Sequence, residues 1–139
     1  MPIVVDASVA LKLVSLEPGT REAQLLLDRD EDRIAPDWML TEVASGLANK
    51  MRYQGLSSAS ARNSFAALPA FIDRFVEAKP LLGRAMNLAA QIDHSLYDCL
   101  YLVIAIEEDG VLITADDGLL KAATRGGYAD RMERLTWKQ

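Results

Sequence analysis

The sequence has only one cysteine and one histidine, and both shortages exclude kinds of chemistry. Cys99 has no partner for an intrachain disulfide, and its apolar neighbours indicate an inert core thiol in a reducing, cytoplasmic compartment. His94 is not accompanied by a Ser or Cys nucleophile and a further acid in a recognised pattern, so a Ser-His-Asp or Cys-His mechanism is not expected. One Cys and one His also cannot supply a structural zinc site.

Long apolar runs and phosphate-binding glycine loops are missing as well. The longest apolar run, from Cys99 to Ile106, is far shorter than the roughly 20 residues of a membrane-spanning helix. The first residues, Met1 to Asp6, contain no basic region, so no secretory signal is predicted. Since no Gly-rich loop is followed by Lys and Ser or Thr, a P-loop is excluded. We therefore expect a soluble protein without membrane contact.

Basic residues are fewer than acidic ones: 15 Lys and Arg stand against 20 Asp and Glu, which gives a net charge of -5. This surplus argues against a protein that holds nucleic acid by bulk charge, although it leaves room for a local basic rim around an acidic centre. The 139 residues, 50% hydrophobic and 25% charged, fit one globular domain over residues 1–139.

Short β-branched runs alternate with segments of helical composition along the chain. Strands are predicted over residues 3–5, 33–35, 71–76 and 111–114, with a last short strand near Leu135. Helices are predicted over residues 7–13, 20–28, 36–53, 58–68, 80–90, 95–109 and 116–125. Strands separated by helices imply a three-layer α/β fold, in which helices flank a central, mainly parallel sheet of four to five short strands.

Four acids fall where this pattern returns the chain to one edge of the sheet: Asp6, Glu42, Asp98 and Asp116. Asp6 and Asp116 directly follow strands, and ligand sites of parallel sheets lie beyond the carboxyl ends of the strands. Clustered carboxylates repel one another unless cations lie between them, so a hard divalent metal ion is the natural occupant. The sequence therefore predicts a metal-dependent enzyme.

Each of these acids also has a simpler explanation. Asp6 and Asp116 precede helices, where a short acceptor caps orphan backbone donors. Asp98 has capping-box spacing with Ser95, although its helix is apolar on nearly every side and its charge needs compensation. Glu42 lies opposite the apolar stripe of its helix, a position typical of a solvated face. These alternatives stay open on the sequence pattern alone.

Four short sequence motifs, in their order along the chain, resemble those of the PIN domain. The size and layout of the whole chain are similar to those of a VapC-type toxin. The motifs are Val4-Val5-Asp6-Ala7-Ser8, Thr41-Glu42-Val43-Ala44, Tyr97-Asp98 and Thr114-Ala115-Asp116. The resemblance implies a PIN-like fold with catalytic, metal-binding acids at Asp6, Glu42, Asp98 and Asp116. It places supporting hydroxyls at Ser8 and Thr114, and Asp117 adds an extra carboxylate that could orient the phosphate.

The activity that the resemblance implies is hydrolysis of RNA phosphodiester bonds with one or two Mg²⁺ or Mn²⁺ ions. Asp6, Asp98 and Asp116 would hold the metal directly, and Glu42 would act through water. Four basic residues are candidates for contacts with the RNA backbone: Lys12, Lys50, Arg52 and Arg84. The resemblance also implies a homodimer and a cognate VapB-type, DNA-binding antitoxin that covers the acidic pocket.

Two other functions remain open for the sequence. A receiver-type signalling domain accepts a phosphoryl group on an Asp at a similar sheet edge, but it usually has adjacent acids after the first strand and a late Lys after the last. Here Asp6 stands alone and Lys121 falls within a helix. A catalytically inactive PIN-like binding module is the other alternative, against which the four intact acids argue.

Overall fold

The structure, a computed structural model, describes residues 1–137 and contains five short parallel strands. They are β1 Ile3–Val5, β2 Arg33–Pro36, β3 Arg74–Val76, β4 Val111–Thr114 and β5 Met132–Arg134. Their spatial order is β3-β2-β1-β4-β5, and every neighbouring pair is parallel. The predicted α/β architecture with a central parallel sheet is confirmed.

Seven α-helices alternate with these strands. They are α1 Ala7–Val14, α2 Thr20–Gln24, α3 Met39–Tyr53, α4 Ser58–Ala67, α5 Leu82–Ile92, α6 Leu96–Glu107 and α7 Asp117–Arg125. Single 3-10 turns lie at Leu25–Asp28, Leu68–Phe71, Lys79–Leu81 and Ala129–Arg131. None of the helices within residues 1–137 has the length and apolar composition that a membrane span requires.

The apolar residues of the central strand and of helix α6 are explained by their burial. All three residues of β1 are buried, as expected of a middle strand that is covered on both faces and therefore consists of β-branched residues. Helix α6 packs against β1, β2 and β4, and its residues 99–105 are all buried. Because this helix lies within the core, Asp98 in its first turn is placed at the border between core and solvent.

Three predicted boundaries are wrong. Pro36 does not open a helix: it pairs with Val76 as the last residue of β2, and α3 begins at Met39. The strand predicted over 71–76 is limited to β3, because the chain after Pro69 first completes a 3-10 turn. The helix predicted over 20–28 divides into α2 and a 3-10 turn. The last strand, β5, ends just before Leu135.

Charged side chains fix the loop that follows α1. Glu17 accepts from Lys12 Nζ at 3.0 Å with one carboxylate oxygen and from Lys50 Nζ at 2.9 Å with the other. Lys12 Nζ also donates to the carbonyl of Pro18 at 2.8 Å and lies 4.6 Å from the centre of the Trp137 ring. We call Lys12, Glu17 and Lys50 the Glu17 cluster. It connects α1, α3 and the end of the described chain.

Candidate metal centre

Strand register brings Asp6 and Thr114 together. Val5 is opposite Ile113 in the parallel pair β1–β4, so the next residues of both strands lie side by side at the carboxyl edge. Thr114 Oγ1 donates to Asp6 Oδ2, while Asp6 Oδ1 accepts from Ser8 Oγ at 2.6 Å and from the Val9 amide at 3.0 Å. Both oxygens of the carboxylate are therefore oriented by neutral donors.

The Asp6 carboxylate is nearly inaccessible to solvent, with 5% of the residue exposed. Burial raises its pKa from 3.8 to about 6, against the lowering effect of the hydrogen bonds from Ser8 and Thr114. The negative charge of Asp98 raises this pKa further. Within residues 1–137, no lysine or arginine forms an ion pair with Asp6. When it is ionised, this buried acid therefore carries a negative charge that no cation compensates, which is energetically costly.

Asp116 is tied to Asp6 through the Thr114 hydroxyl. The Asp116 amide donates to Thr114 Oγ1 at 3.0 Å, so this one hydroxyl bridges the backbone of one acid and the carboxylate of the other. Asp116 Oδ1 accepts from the amides of Gly118 and Leu119, at 2.8 and 3.3 Å, and caps α7. Helix capping and membership of the acid cluster are thus compatible, because capping engages only one carboxylate oxygen.

Asp98 lies beside Asp116 and next to a histidine. His94 Nε2 is 2.7 Å from Asp98 Oδ2, and Ser95 caps α6 by accepting from the Asp98 amide at 3.3 Å. One nitrogen of His94 and one carboxylate oxygen each of Asp98 and Asp116 all lie within 4.8 Å of one another. The expected Ser95 cap is present, but it uses the Asp98 amide and leaves the carboxylate directed to the cluster.

Glu42 is the fourth acid, and it is partly buried rather than on a solvated face. The phenol of Tyr101 donates to Glu42 Oε1 at 2.9 Å. Burial raises the pKa of Glu42, as do the negative charges of Asp98 and Asp6. Tyr101 is itself buried, and burial together with the charge of Glu42 raises the pKa of its phenol. The Trp38 ring packs edge-on against Tyr101 at 5.1 Å and holds it in place.

The chemistry of these donors suits a divalent cation. Asp98 and Asp116 lie within the ligand distances of one ion, and Asp6 and Glu42 are near enough to Asp98 for its charge to raise their pKa values. Hydroxyl, phenol and amide donors hold the carboxylate oxygens of Asp6, Glu42 and Asp116 in place. Carboxylate oxygens are the ligands that Mg²⁺ prefers, and a bound cation would relieve the buried charge of Asp6. A metal ion is therefore the group that these residues fit.

A family model of the PIN domain matches residues 3–125. The chain belongs to the PIN-domain family. PIN domains are generally nucleases and typically bind divalent metals, so nuclease activity on nucleic acid is what membership indicates. Among solved structures, the crystal structure of PAE2754 from Pyrobaculum aerophilum is similar, with a TM-score of 0.73 and 20% identity over 97% of this chain and 91% of that one. This similarity shows that the two chains share a fold. No curated protein matches the chain significantly.

The other predicted site residues of this PIN domain have partners of their own. Asp117 accepts from Arg134 Nε at 2.5 Å, and this guanidinium lowers the pKa of the carboxyl. Lys12 and Lys50 belong to the Glu17 cluster. Arg84 pairs with Glu107, and the Arg52 guanidinium lies 4.7 Å from the centre of the Tyr53 ring. Their predicted roles toward the phosphate or the RNA backbone stay predictions.

Two residues of the site were not singled out by the sequence. The sequence interpretation excludes His94 from a nucleophilic mechanism and from a structural zinc site, although its spacing of four residues from Asp98 is a usable signal for a mixed site. Tyr101 lay within an apolar run, and its contact with Glu42 joins residues 59 positions apart. The contact is revealed only by the fold, which places Trp38, just before α3, edge-on against Tyr101 of α6.

Proposed function

We propose that this PIN domain is a Mg²⁺- or Mn²⁺-dependent endoribonuclease that hydrolyses RNA phosphodiester bonds. The observation that carries the proposal is the buried Asp6 carboxylate, which has no cationic partner in residues 1–137, lies near enough to Asp98 and Glu42 for their charges to interact, and is joined to Asp116 through the Thr114 hydroxyl. Such a group of acids favours a bound cation, and membership of a nuclease family supports metal-assisted phosphodiester chemistry as its use.

In this proposal Asp6, Asp98 and Asp116 hold the metal, with Glu42 reaching it through water. When bound, one or two such ions lower the pKa of a water molecule and neutralise charge on the scissile phosphate. Attack of the water oxygen on phosphorus would form one P–O bond and break the ester P–O bond; the water would release a proton to solvent, and the departing oxygen would take one up.

The neighbouring hydroxyls supply rigidity. Ser8 and Thr114 donate to opposite oxygens of Asp6, so the carboxylate cannot rotate without breaking a hydrogen bond. Tyr101 fixes Glu42 in the same way. Groups that hold a ligand in its reactive orientation contribute by removing the reorganisation that solvent would require. We assign Ser8, Thr114 and Tyr101 this positioning role.

The biological role that we propose is the toxin of a VapC-type toxin-antitoxin pair, with residues 1–139 as a single domain. The four motif phrases and the length of the chain support it. The proposal includes a homodimer, a DNA-binding VapB-type antitoxin over the acidic pocket, and action on RNA in the cytoplasm. Lys12, Lys50, Arg52 and Arg84 stay candidates for contacts with the RNA backbone.

Incubation of the purified protein with total tRNA, rRNA and unstructured RNA oligonucleotides tests the nuclease proposal. We expect cleavage with Mg²⁺ or Mn²⁺ and none with excess EDTA, because without a cation the acids would repel the phosphate and leave its developing charge unneutralised. The Asp6→Asn variant, purified in parallel, controls for contaminating ribonuclease. Intact RNA in both metals, or equal cleavage by the variant, would contradict the proposal. Transfer of a phosphoryl group from a small donor to Asp6 would favour the receiver-type alternative.

Replacing Tyr101 with phenylalanine tests the positioning of Glu42. The change removes one donor to Glu42 Oε1, and we expect kcat/KM for RNA to fall about 10-fold, since losing a group that orients a ligand typically costs 10- to 100-fold. Tyr128→Phe is the matched control, because its hydroxyl reaches only the exposed Gln91 at 3.5 Å. Equal rates for the two variants would show that the Tyr101 phenol does not act through Glu42.

A further inference from the structure

His94 is held between the starts of two helices that each carry an acid of the site. Asp93, in the left-handed conformation at φ 52, ends α5 and turns the chain so that His94 precedes α6. On its other side the ring faces the start of α7: a Cβ at Gly118 would lie 3.8 Å from His94 Cε1 and 3.2 Å from Asp116 Oδ1. A side chain at this position would thus contact both the imidazole and the Asp116 carboxylate, whereas glycine does not.

The spacing of these atoms resembles the spacing of ligands around one ion. With metal–ligand bonds of about 2.1 Å, neighbouring octahedral ligands are about 3.0 Å apart and opposite ones about 4.2 Å. His94 Nε2 and Asp98 Oδ2 are 2.7 Å apart, and no two atoms of the set that includes Asp116 are more than 4.8 Å apart. Shifts of about half an ångström would therefore let all three bind one metal ion.

We propose that His94 is a nitrogen ligand of the metal centre and makes it select Mn²⁺ or another first-row transition metal over Mg²⁺. The inference rests on the proposed metal centre but goes beyond it, since carboxylates alone do not favour either ion strongly. Imidazole nitrogen is a better ligand for first-row transition metals, including Mn²⁺ at the weak end of that series, than for Mg²⁺, which takes oxygen ligands and keeps its waters. A site of three acids and one histidine therefore prefers the metal that accepts nitrogen.

A different role for His94 makes a different prediction. If the imidazole only orients Asp98 by a hydrogen bond, its loss weakens Mg²⁺ and Mn²⁺ to the same extent, because Asp98 serves both ions. If the imidazole is a ligand, its loss weakens Mn²⁺ selectively. The ratio of the two dissociation constants separates these roles without reference to catalysis.

Calorimetric titration of untagged protein with Mg²⁺ and with Mn²⁺ measures this ratio. For His94→Ala we expect the Kd of Mn²⁺ to rise about 10- to 100-fold, a loss at least as large as that for a residue that merely supports a ligand. The Kd of Mg²⁺ should change less than about 3-fold, because that ion takes oxygen ligands. A parallel weakening of both ions, or no weakening of Mn²⁺, would overturn the proposal.

The wild-type protein offers a direct test that does not depend on the folding of a variant. His94 is the sole histidine, so protein grown with ¹⁵N-histidine and loaded with one equivalent of Mn²⁺ carries its label at this residue alone. Pulsed electron paramagnetic resonance should show strong coupling of Mn²⁺ to a directly bound ¹⁵N nucleus. Absence of that coupling, or of Mn²⁺ binding itself, would overturn the assignment.

The outcome for RNA cleavage is independent of this test. Coupling of Mn²⁺ to ¹⁵N in a protein that cuts no RNA would keep the His94 assignment and remove the nuclease proposal. Cleavage in Mg²⁺ by a protein without such coupling would do the reverse. The two ideas can therefore fail separately.

Discussion

Asp6→Asn is expected to abolish RNA cleavage while making the metal-free protein more stable at pH 7. The activity should fall by about 1,000-fold or more, because the transition-state stabilisation that a bound ion supplies amounts to several kcal/mol. The asparagine amide keeps an acceptor for Ser8 and for the Val9 amide but loses the negative charge that would hold the ion. Activity and stability should therefore change in opposite directions.

The gain in stability follows from the pKa of the buried carboxyl. Its pKa is about 6 in the folded protein against 3.8 unperturbed, so the folded state binds the proton more tightly and loses stability as the pH rises from about 4 to above 6. At 1.36 kcal/mol per pKa unit, the charged form costs about 3 kcal/mol at pH 7. Asparagine avoids this cost, and since Thr114 Oγ1 must then accept rather than donate, a gain of about 1 to 2 kcal/mol is expected.

Urea denaturation of both proteins in EDTA, at pH values between 4 and 7, measures this effect. At pH 4, where the proton neutralises Asp6, the variant should be about 1 kcal/mol less stable than the wild type, because only the cost at Thr114 remains, and the difference should reverse in sign as the pH rises. Saturating Mg²⁺ should raise the melting temperature of the wild type and leave that of Asp6→Asn unchanged. A variant that is less stable than the wild type at pH 7 in EDTA would refute the account of the buried charge.

Among substitutions that break an ion pair, Glu17→Gln is expected to lower the free energy of unfolding most, by about 2 to 3 kcal/mol. The change leaves Lys12 and Lys50, whose side chains are only 10% and 13% exposed, without a shared anion. Removing one partner of a buried ion pair costs about 3 to 5 kcal/mol, and Lys12 recovers part of this through the Pro18 carbonyl and the Trp137 ring.

A matched substitution at an open ion pair calibrates this loss. Glu31 pairs with Arg29 at 2.6 Å, but both side chains are about one-third exposed and Arg29 also pairs with Glu133, so Glu31→Gln should change the unfolding free energy much less than Glu17→Gln does. Both variants are compared with the wild type by urea denaturation at neutral pH. If the two losses are equal, the Glu17 cluster is no more than a solvated ion pair.

The sequence is sufficient to predict the parallel sheet and the position of two of the four acids at its carboxyl edge. Asp6 and Asp116 follow β-branched runs, and the parallel arrangement of alternating strands and helices requires their carboxyl ends to meet at one edge. The same local reasoning failed at Pro36, where a signal typical of a helix start was overridden by pairing with β3. Local propensity cannot decide between a last strand residue and a first helix residue when tertiary pairing supplies the difference.

The side-chain contacts of the site residues could not be predicted from the sequence, for a related reason. Tyr101 contacts Glu42 across two helices, and Glu17 joins lysines of α1 and α3, so both contacts depend on how elements pack. A helical wheel places Glu42 correctly on its own helix but carries no information on what lies opposite. Likewise, Lys12 has the residue type of an RNA contact, whereas its burial is a property of the fold.

Neutral hydroxyls, rather than basic side chains, contact the Asp6 carboxylate. In the proposed reaction, the acidic pocket of the metal-free protein would repel an incoming polyanion, and only after an ion has entered would the local potential permit its approach. Addition of the two reactants would then be ordered, with the cation first and the nucleic acid second. The apparent affinity for substrate would accordingly track the free divalent-ion concentration, which makes ion supply a determinant of turnover in its own right.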